Sequence, residues 1–434
     1  RSGRCFDMRG GRCSGFALGA VLCTTVLAGC GSSGSKGPAT LNWYVFNEPS
    51  GSFTAAADRC TKESNGRYKI AVQALPTDAD QQRELIVRRL AAKDSAVDIV
   101  GMDVNWTAEF AQAGWIKPWT GSLASKATAG DLPGPLNTAR YKGKLWVAPF
   151  TSNAQILFYR KDRVKTPPKT WDEMIAAAKR IGAEGKIQVQ GARYEGLVVW
   201  FNSLVNSAGG TILAPDGNTV TLGPPAVKAA SIIKTLASSP AADPALENNK
   251  EDEARLGFES GGSSFEVNYT FAWASANDAV AKAPDAAAKK KATQFRDSIG
   301  FARWPAVYPN RPSRVTLGGI NLGVGSYGKH IPLAFQAALC LRQPANQIPA
   351  SVKGGLLPTT ASLFDDPQLK KAFPFTDILK AELANGVARP VTPFYSDISQ
   401  AIQRSLHPER SIDPPSTIKD MKEKLDHAKK GEIF

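Results

Sequence analysis

The chain has 434 residues, 43% of them apolar and 9% aromatic, with a formal net charge of +14. That length exceeds one ordinary domain and that composition suits a packed core, so two globular lobes are expected. Its lysines and arginines are dispersed; the one dense run, Lys289-Lys290-Lys291, sits in an alanine-rich stretch without interleaved aromatics, which argues against a nucleic-acid binder.

At the N-terminus, Arg9 and Arg12 precede the apolar run from Phe16 to Gly29. The run is too short for a bilayer span, which takes about 20 apolar residues, and has the layout of a secretory signal. Leu27-Ala28-Gly29 directly before Cys30 makes it a lipoprotein signal. The expectation is therefore a removed segment 1–29, with translation starting at Met8, and an acylated Cys30. The lipid would hold the protein on the extracytoplasmic face of the cell membrane. Residues 30–40, rich in glycine and serine, read as a flexible tether. Removal of Cys5, Cys13 and Cys23 leaves Cys60 and Cys340, an even pair in an oxidising compartment. A disulfide between them is expected, with two buried thiols as the alternative.

Beyond the tether, β-branched runs alternate with amphipathic, alanine-rich segments, the pattern of an α/β fold. Strands are expected at 41–46, 68–75 and 97–102, with helices at 53–62 and 79–92 between them. Two more strands, 145–150 and 154–160, flank an expected turn at Thr151 to Asn153. Thr170 followed by Glu173 is a capping box opening a helix. Residues 187–275 repeat the alternation, Pro305 to Pro312 form a crossing, and 315–325 is again strand. Helices follow from Pro332, interrupted between Pro349 and Pro358. The stretch 276–293 reads as a surface helix or loop.

Enzyme signatures are missing. The three histidines, His330, His407 and His427, form no HExxH, and there is neither a GxSxG elbow nor a phosphate-binding GxxxxGK[ST] loop. No catalytic residue, metal or cofactor is expected. Instead, several strand-like runs end on polar residues: Asn47 and Glu48, then Asp103, then Asn153. Ligands of open α/β sheets lie outside the carboxyl ends of strands, and Asp, Asn and Glu there match the vicinal hydroxyls of a sugar. Capping of the following helix is the alternative use. Glu195, at the start of an apolar helical run, reads as a site acid or as a charge on a helix dipole. Trp200, Tyr269 and Trp273 are stacking candidates, the two tryptophans leaning toward the core.

Taken with these features, PxTWDEM (168–174), SAGG (207–210), EARLGFESG (253–261), FEVNY (265–269) and ARPVTPFY (388–395) resemble family 1 extracellular solute-binding proteins, the sugar receptors of ABC importers. The resemblance covers nearly the whole mature chain. Segments 103–115, 131–136, 195–210 and 389–395 look most like the trehalose-binding lipoproteins of that family. It implies a two-lobe, periplasmic-binding-protein-like (type II) clamp with a hinge and a central ligand cleft. Lobe 1 would comprise 41–150 plus 313–360, and lobe 2 would comprise 151–312 plus 361–434. It also implies that Asn47, Glu48, Asp103, Asn153 and Glu251 bond sugar hydroxyls. Tyr269 would stack where relatives often carry tryptophan, Gly318 and Gly319 would present backbone amides, and Arg389 would donate to ring or linkage oxygens. A salt bridge ordering lobe 2 is the other use of Arg389. The implied function is a monomeric receptor that captures trehalose for the permease and ATPase subunits of an importer. The alternatives are a receptor for another disaccharide or a glycerophospho-sugar, or an envelope glycosidase.

Overall fold

Leu41, Trp43 and Val45 alternate along the first strand, Ala39–Phe46, and all three are fully buried, as a period of two requires of a strand packed on a core. The helix that follows, Ser52–Glu63, buries Phe53, Ala56, Ala57 and Cys60, the stripe of an amphipathic helix. A computed structural model describes residues 37–430 of the chain. The expected signal at 1–29 and Cys30 lie outside the described residues, and the segment read as tether is already strand by Ala39.

Six strands form the first sheet, in the order Leu357–Pro358, Val147–Asn153, Gly318–Val324, Ile99–Asp103, Ala39–Phe46, Tyr68–Leu75. Ala39–Phe46 runs parallel to both Tyr68–Leu75 and Ile99–Asp103. Gly318–Val324 is antiparallel to Ile99–Asp103 and to Val147–Asn153, so those two point the same way. The carboxyl ends at Phe46, Leu75, Asp103 and Asn153 therefore gather along one edge, beside the start of Gly318–Val324. A second sheet orders Ile299–Ala302, Ile156–Arg160, Ser263–Asn268 and Lys186–Gln188.

Each sheet has its own core. Trp43, Phe53, Phe110 and Phe150 belong to the first; Phe158, Trp171, Trp200 and Phe265 belong to the second. Trp171 lies 5.4 Å from Trp200 and 5.3 Å from Trp304, ring centre to ring centre. Trp273 packs edge-on against Phe301 at 5.0 Å and donates its indole N–H to the Ala372 carbonyl. Both tryptophans thus serve packing. Cys60 and Cys340, on helices Ser52–Glu63 and Ile331–Leu341, are joined by a disulfide that ties the two visits of the chain to the first core. Among the described residues no helix is long and apolar enough to cross a membrane.

Four expectations need correction. Thr151 to Asn153 is strand, not turn. Thr151 and Ser152 pair with Ile320 and Gly319 on one side and with Pro358 and Leu357 on the other, so the chain enters the second sheet without turning back. Pro349 lies inside helix Pro344–Gly354; the stop comes at Gly355, whose φ of 72° suits a glycine cap. The alternation expected over 187–275 contains only two strands, Lys186–Gln188 and Ser263–Asn268. Its longest apolar run, read as helical, is helix Glu195–Ser207, buried nearly all round. Finally, Val315 and Leu317 pack into the second core rather than the first. Thr316 between them explains this: Asn202 Nδ2 donates to its hydroxyl at 3.0 Å, and its own N–H bonds Ser203 Oγ at 2.9 Å. The cores exchange between Phe150 and Ala154, between Leu317 and Ile320, and between Leu356 and Leu357, while Ile348 of helix Pro344–Gly354 also packs into the second core.

Candidate functional site

The carboxyl edge of the first sheet faces residues carried by the second lobe. Asp103 ends its strand and caps the short turn Val104–Trp106, its Oδ1 accepting the Asn105 N–H at 3.2 Å. The same oxygen accepts Nη2 of Arg389 at 2.5 Å, across the junction of the lobes. Arg389 is 5% exposed, which leaves almost none of its charge to be screened by water. Its Nη1 donates to Glu195 Oε1 at 2.7 Å. Burial opposes its charge, but the carboxylates of Asp103 and Glu195 more than offset that and hold its proton more tightly than in water.

Glu195 is the first residue of helix Glu195–Ser207, where a negative charge suits the helix dipole. Besides Arg389 it accepts from the Tyr395 hydroxyl, from Ser399 Oγ at 2.5 Å, and from Asn105 Nδ2 of the first lobe at 3.3 Å. Tyr395 and Ser399 stand one turn apart on helix Tyr395–Leu406 and so share a face. Two further contacts cross between lobes at helix starts. Lys250 Nζ reaches Asp78, the cap of helix Ala79–Ala91, at 2.5 Å, and Gln403 Nε2 donates to Asp80 at 3.4 Å.

The other expected residues divide. Tyr269 follows strand Ser263–Asn268; burial raises its phenol's pKa first, then the charge of Glu251, while Arg389 opposes and Asp103 and Glu195 add to the rise. The ring therefore shares the field of the whole cluster. Glu251 opens helix Glu251–Glu259, and burial raises its pKa against the Tyr194 hydroxyl and Lys250. Asn153 pairs with Gly318 at the sheet edge. Gly319 has φ +133°, and a Cβ there would lie 2.2 Å from the Thr151 carbonyl oxygen, so the position admits glycine alone. Asn47 is exposed and donates its N–H to the Leu75 carbonyl. Glu48 serves the backbone. Its carboxylate accepts from the Ser50 and Ser52 N–H groups at 2.8 and 3.0 Å and from both serine hydroxyls at 2.7 Å, ordering the entry to helix Ser52–Glu63. Asp103 and Arg389 thus converge, and Tyr269 lies within reach of their charges. Asn105, Tyr395 and Ser399 escaped sequence reasoning, although the four-residue spacing of Tyr395 and Ser399 was there to read.

Three buried polar atoms around this junction have no protein partner: Asn105 Oδ1, Asn153 Oδ1 and Arg389 Nε. The arrangement is a polar seam between two lobes in which one arginine meets two carboxylates, able to donate and accept at once.

Residues 47–348 match the family described as bacterial extracellular solute-binding protein. The chain belongs to that family. A Deinococcus radiodurans relative named "Probable ABC transporter-binding protein" is 30% identical over 371 residues, covering 81% of this chain and 83% of its own. Among solved structures, maltose-bound MalE3 of T. maritima is similar with a TM-score of 0.78 and 25% identity, over 89% of this chain and 99% of its own. The GacH receptor of Streptomyces glaucescens, solved unliganded and with acarbose, has a TM-score of 0.77 over 91% of this chain and 99% of its own. At 22% identity that second likeness concerns the fold alone. The fold is the two-lobe clamp of these binding proteins.

Proposed function

We propose that the chain is the sugar-capturing receptor of an ABC importer, tethered through an acylated Cys30 to the outer face of the membrane, with trehalose as its ligand. One observation carries the reading: the Arg389 Nε–H donor and the Asn105 and Asn153 Oδ1 acceptors are buried and unpartnered at the meeting of the lobes. Each unsatisfied group costs about 1 to 3 kcal/mol. A polyhydroxylated ligand has donors and acceptors for all three. Asp103 uses Oδ1 for its bonds to Arg389 and Asn105, which leaves Oδ2 for a hydroxyl. Tyr269 supplies an aromatic face, and Gly318 lies beside Asn153 at the sheet edge.

Capture works by closure, since a ligand favours the closed state only through contacts it makes there and not in the open one. Micromolar affinity needs about −8 kcal/mol. A handful of charge-assisted hydrogen bonds and one stacked ring suffice for that. The importer as partner is supported by the name of the Deinococcus relative. Trehalose is supported by the likeness of segments 103–115, 131–136, 195–210 and 389–395 to trehalose-binding members. Maltose is the second reading, favoured by the maltose in the MalE3 structure.

A thermal-shift panel of trehalose, maltose, sucrose and a glycerophospho-sugar, followed by calorimetry, tests this. Trehalose is expected to raise the melting temperature most, and no glucose is expected to appear during incubation. A larger shift with maltose would assign the second reading. Glucose release would make the protein a glycosidase, and no shift with any sugar would end the proposal.

A further inference from the structure

Glu195 has four protein donors: Arg389, Tyr395 and Asn105 all reach Oε1, and Ser399 reaches Oε2. It is 5% exposed. Oε1, the oxygen that holds Arg389, therefore has nothing left to offer a ligand. Three of its donors belong to lobe 2 and would stay with it when the lobes part; Asn105 alone comes from lobe 1, two residues beyond Asp103. Arg389 is the reverse case. Its two Nη groups are each taken by one lobe's acid, and its Nε–H is free and buried.

We infer that Glu195 is a positioning residue of the binding site. It fixes the plane of the Arg389 guanidinium on lobe 2, so that Nε–H faces the cleft and Nη2 meets Asp103 on closure. The inference rests on the reading of the cleft as a sugar site. The physical reason is the shape of the group: a guanidinium is planar, and fixing one edge orients the other two donors. Tyr395 and Ser399 hold the carboxylate, and the carboxylate holds the arginine. Without the charge of Glu195, Asp103 is the only acid on Arg389, and the guanidinium turns toward lobe 1 with its ligand-facing donor lost. Asn105 adds a link to closure, because it reaches Glu195 only when Asp103 reaches Arg389.

Two measurements test this. In sugar-free protein, the guanidinium N–H signals of Arg389, assigned with Arg389→Lys, are expected to exchange slowly in the wild type. They should stay slow in Asp103→Asn and become fast in Glu195→Gln; slow exchange in Glu195→Gln overturns the inference whatever the protein binds. The second measurement is a double-mutant cycle by calorimetry with trehalose and maltose, each titrated. Glu195→Gln and Arg389→Met should each weaken binding about tenfold or more, and the double variant should be no weaker than Arg389→Met alone within about twofold. Multiplying losses would mean that Glu195 acts independently of the arginine, and would overturn the inference while leaving the sugar reading intact. A wild type that binds neither sugar sinks the sugar reading, and the exchange measurement then decides the positioning role alone. If Glu195→Gln fails to fold, Tyr395→Phe replaces it in both measurements. It should speed exchange and weaken binding about threefold, and the binding loss should vanish in the Arg389→Met background. Slow exchange or a persisting loss overturns the inference.

Discussion

Lobe 1 buries Asp98 and Arg342 and is cross-linked by Cys60–Cys340; lobe 2 has no disulfide among the described residues and buries Glu195, Glu266, Glu382, Arg389 and Glu409. The faces they turn to the cleft differ in the same sense. Lobe 1 presents half-buried strand ends, Asp103 and Asn153, set by the sheet. Lobe 2 presents a network whose members come from helix starts and a loop, set by one another. The contrast teaches that one half of the site is positioned by backbone and the other by buried charge. The two halves should therefore fail under different conditions.

The largest effect is expected from reduction. The disulfide spans 280 residues of sequence, and the chain-entropy model assigns a loop of that order about 5 kcal/mol, with less commonly measured. Cys340→Ser should lower amide protection in Ala39–Leu75 well before it does so in Ser263–Asn268. Equal loss in both would erase the contrast.

Alkali should do the opposite. Burial pushes Glu266 up to about 8, with Glu259 adding to the rise while Asn268 and Arg255 oppose it. Burial also pushes Glu409 up to about 8, with Glu247 adding and Arg410 opposing. A carboxyl whose folded pKa is raised binds its proton more tightly in the folded state. Its contribution is therefore complete below the unfolded value near 4.5 and is lost as pH rises through about 8. Between pH 6 and 9 each should cost lobe 2 on the order of 2 kcal/mol. Glu266→Gln should flatten that dependence, measured as exchange protection of Ser263–Asn268 against pH. An unchanged slope would remove Glu266 from the account.

A smaller effect is expected at the cleft from the lobe 1 side. Asp103→Asn keeps the strand end but removes its charge from Arg389, and should weaken trehalose binding about tenfold, within the 1 to 3 kcal/mol of a lost charged hydrogen bond. Calorimetry on a variant with an unchanged melting temperature checks this. Normal binding would mean that the strand edge carries no ligand. The smallest effect belongs to Lys250–Asp78, whose side chains are 40% and 15% exposed, so water screens much of the attraction. Lys250→Ala should weaken binding less than about fivefold, and that difference should shrink further in high salt.

The strands of the first lobe were legible because they alternate or are bounded by turns: Tyr68–Leu75 follows the expected span residue for residue. The position of Asp103 followed from such a run, since a strand's end is a local fact, whereas Asn153 ends a strand where a turn was expected. Glu48 stood at such an end too, yet two serines within four residues gave its carboxylate a nearer partner. Those serines were there to read.

The sequence by itself determined the alternating α/β pattern, the polar ends of the first lobe's strands, and the presence of just two cysteines beyond Cys30. These depend on periodicity and on composition, which reach only a few residues along the chain. The tertiary structure alone decided that Arg389 sits between Asp103 and Glu195, across 286 and 194 residues of sequence. It also decided that Asn105 and Ser399 meet the same carboxylate. A buried charge is tolerable only where partners surround it, and those partners come from separate elements that folding brings together.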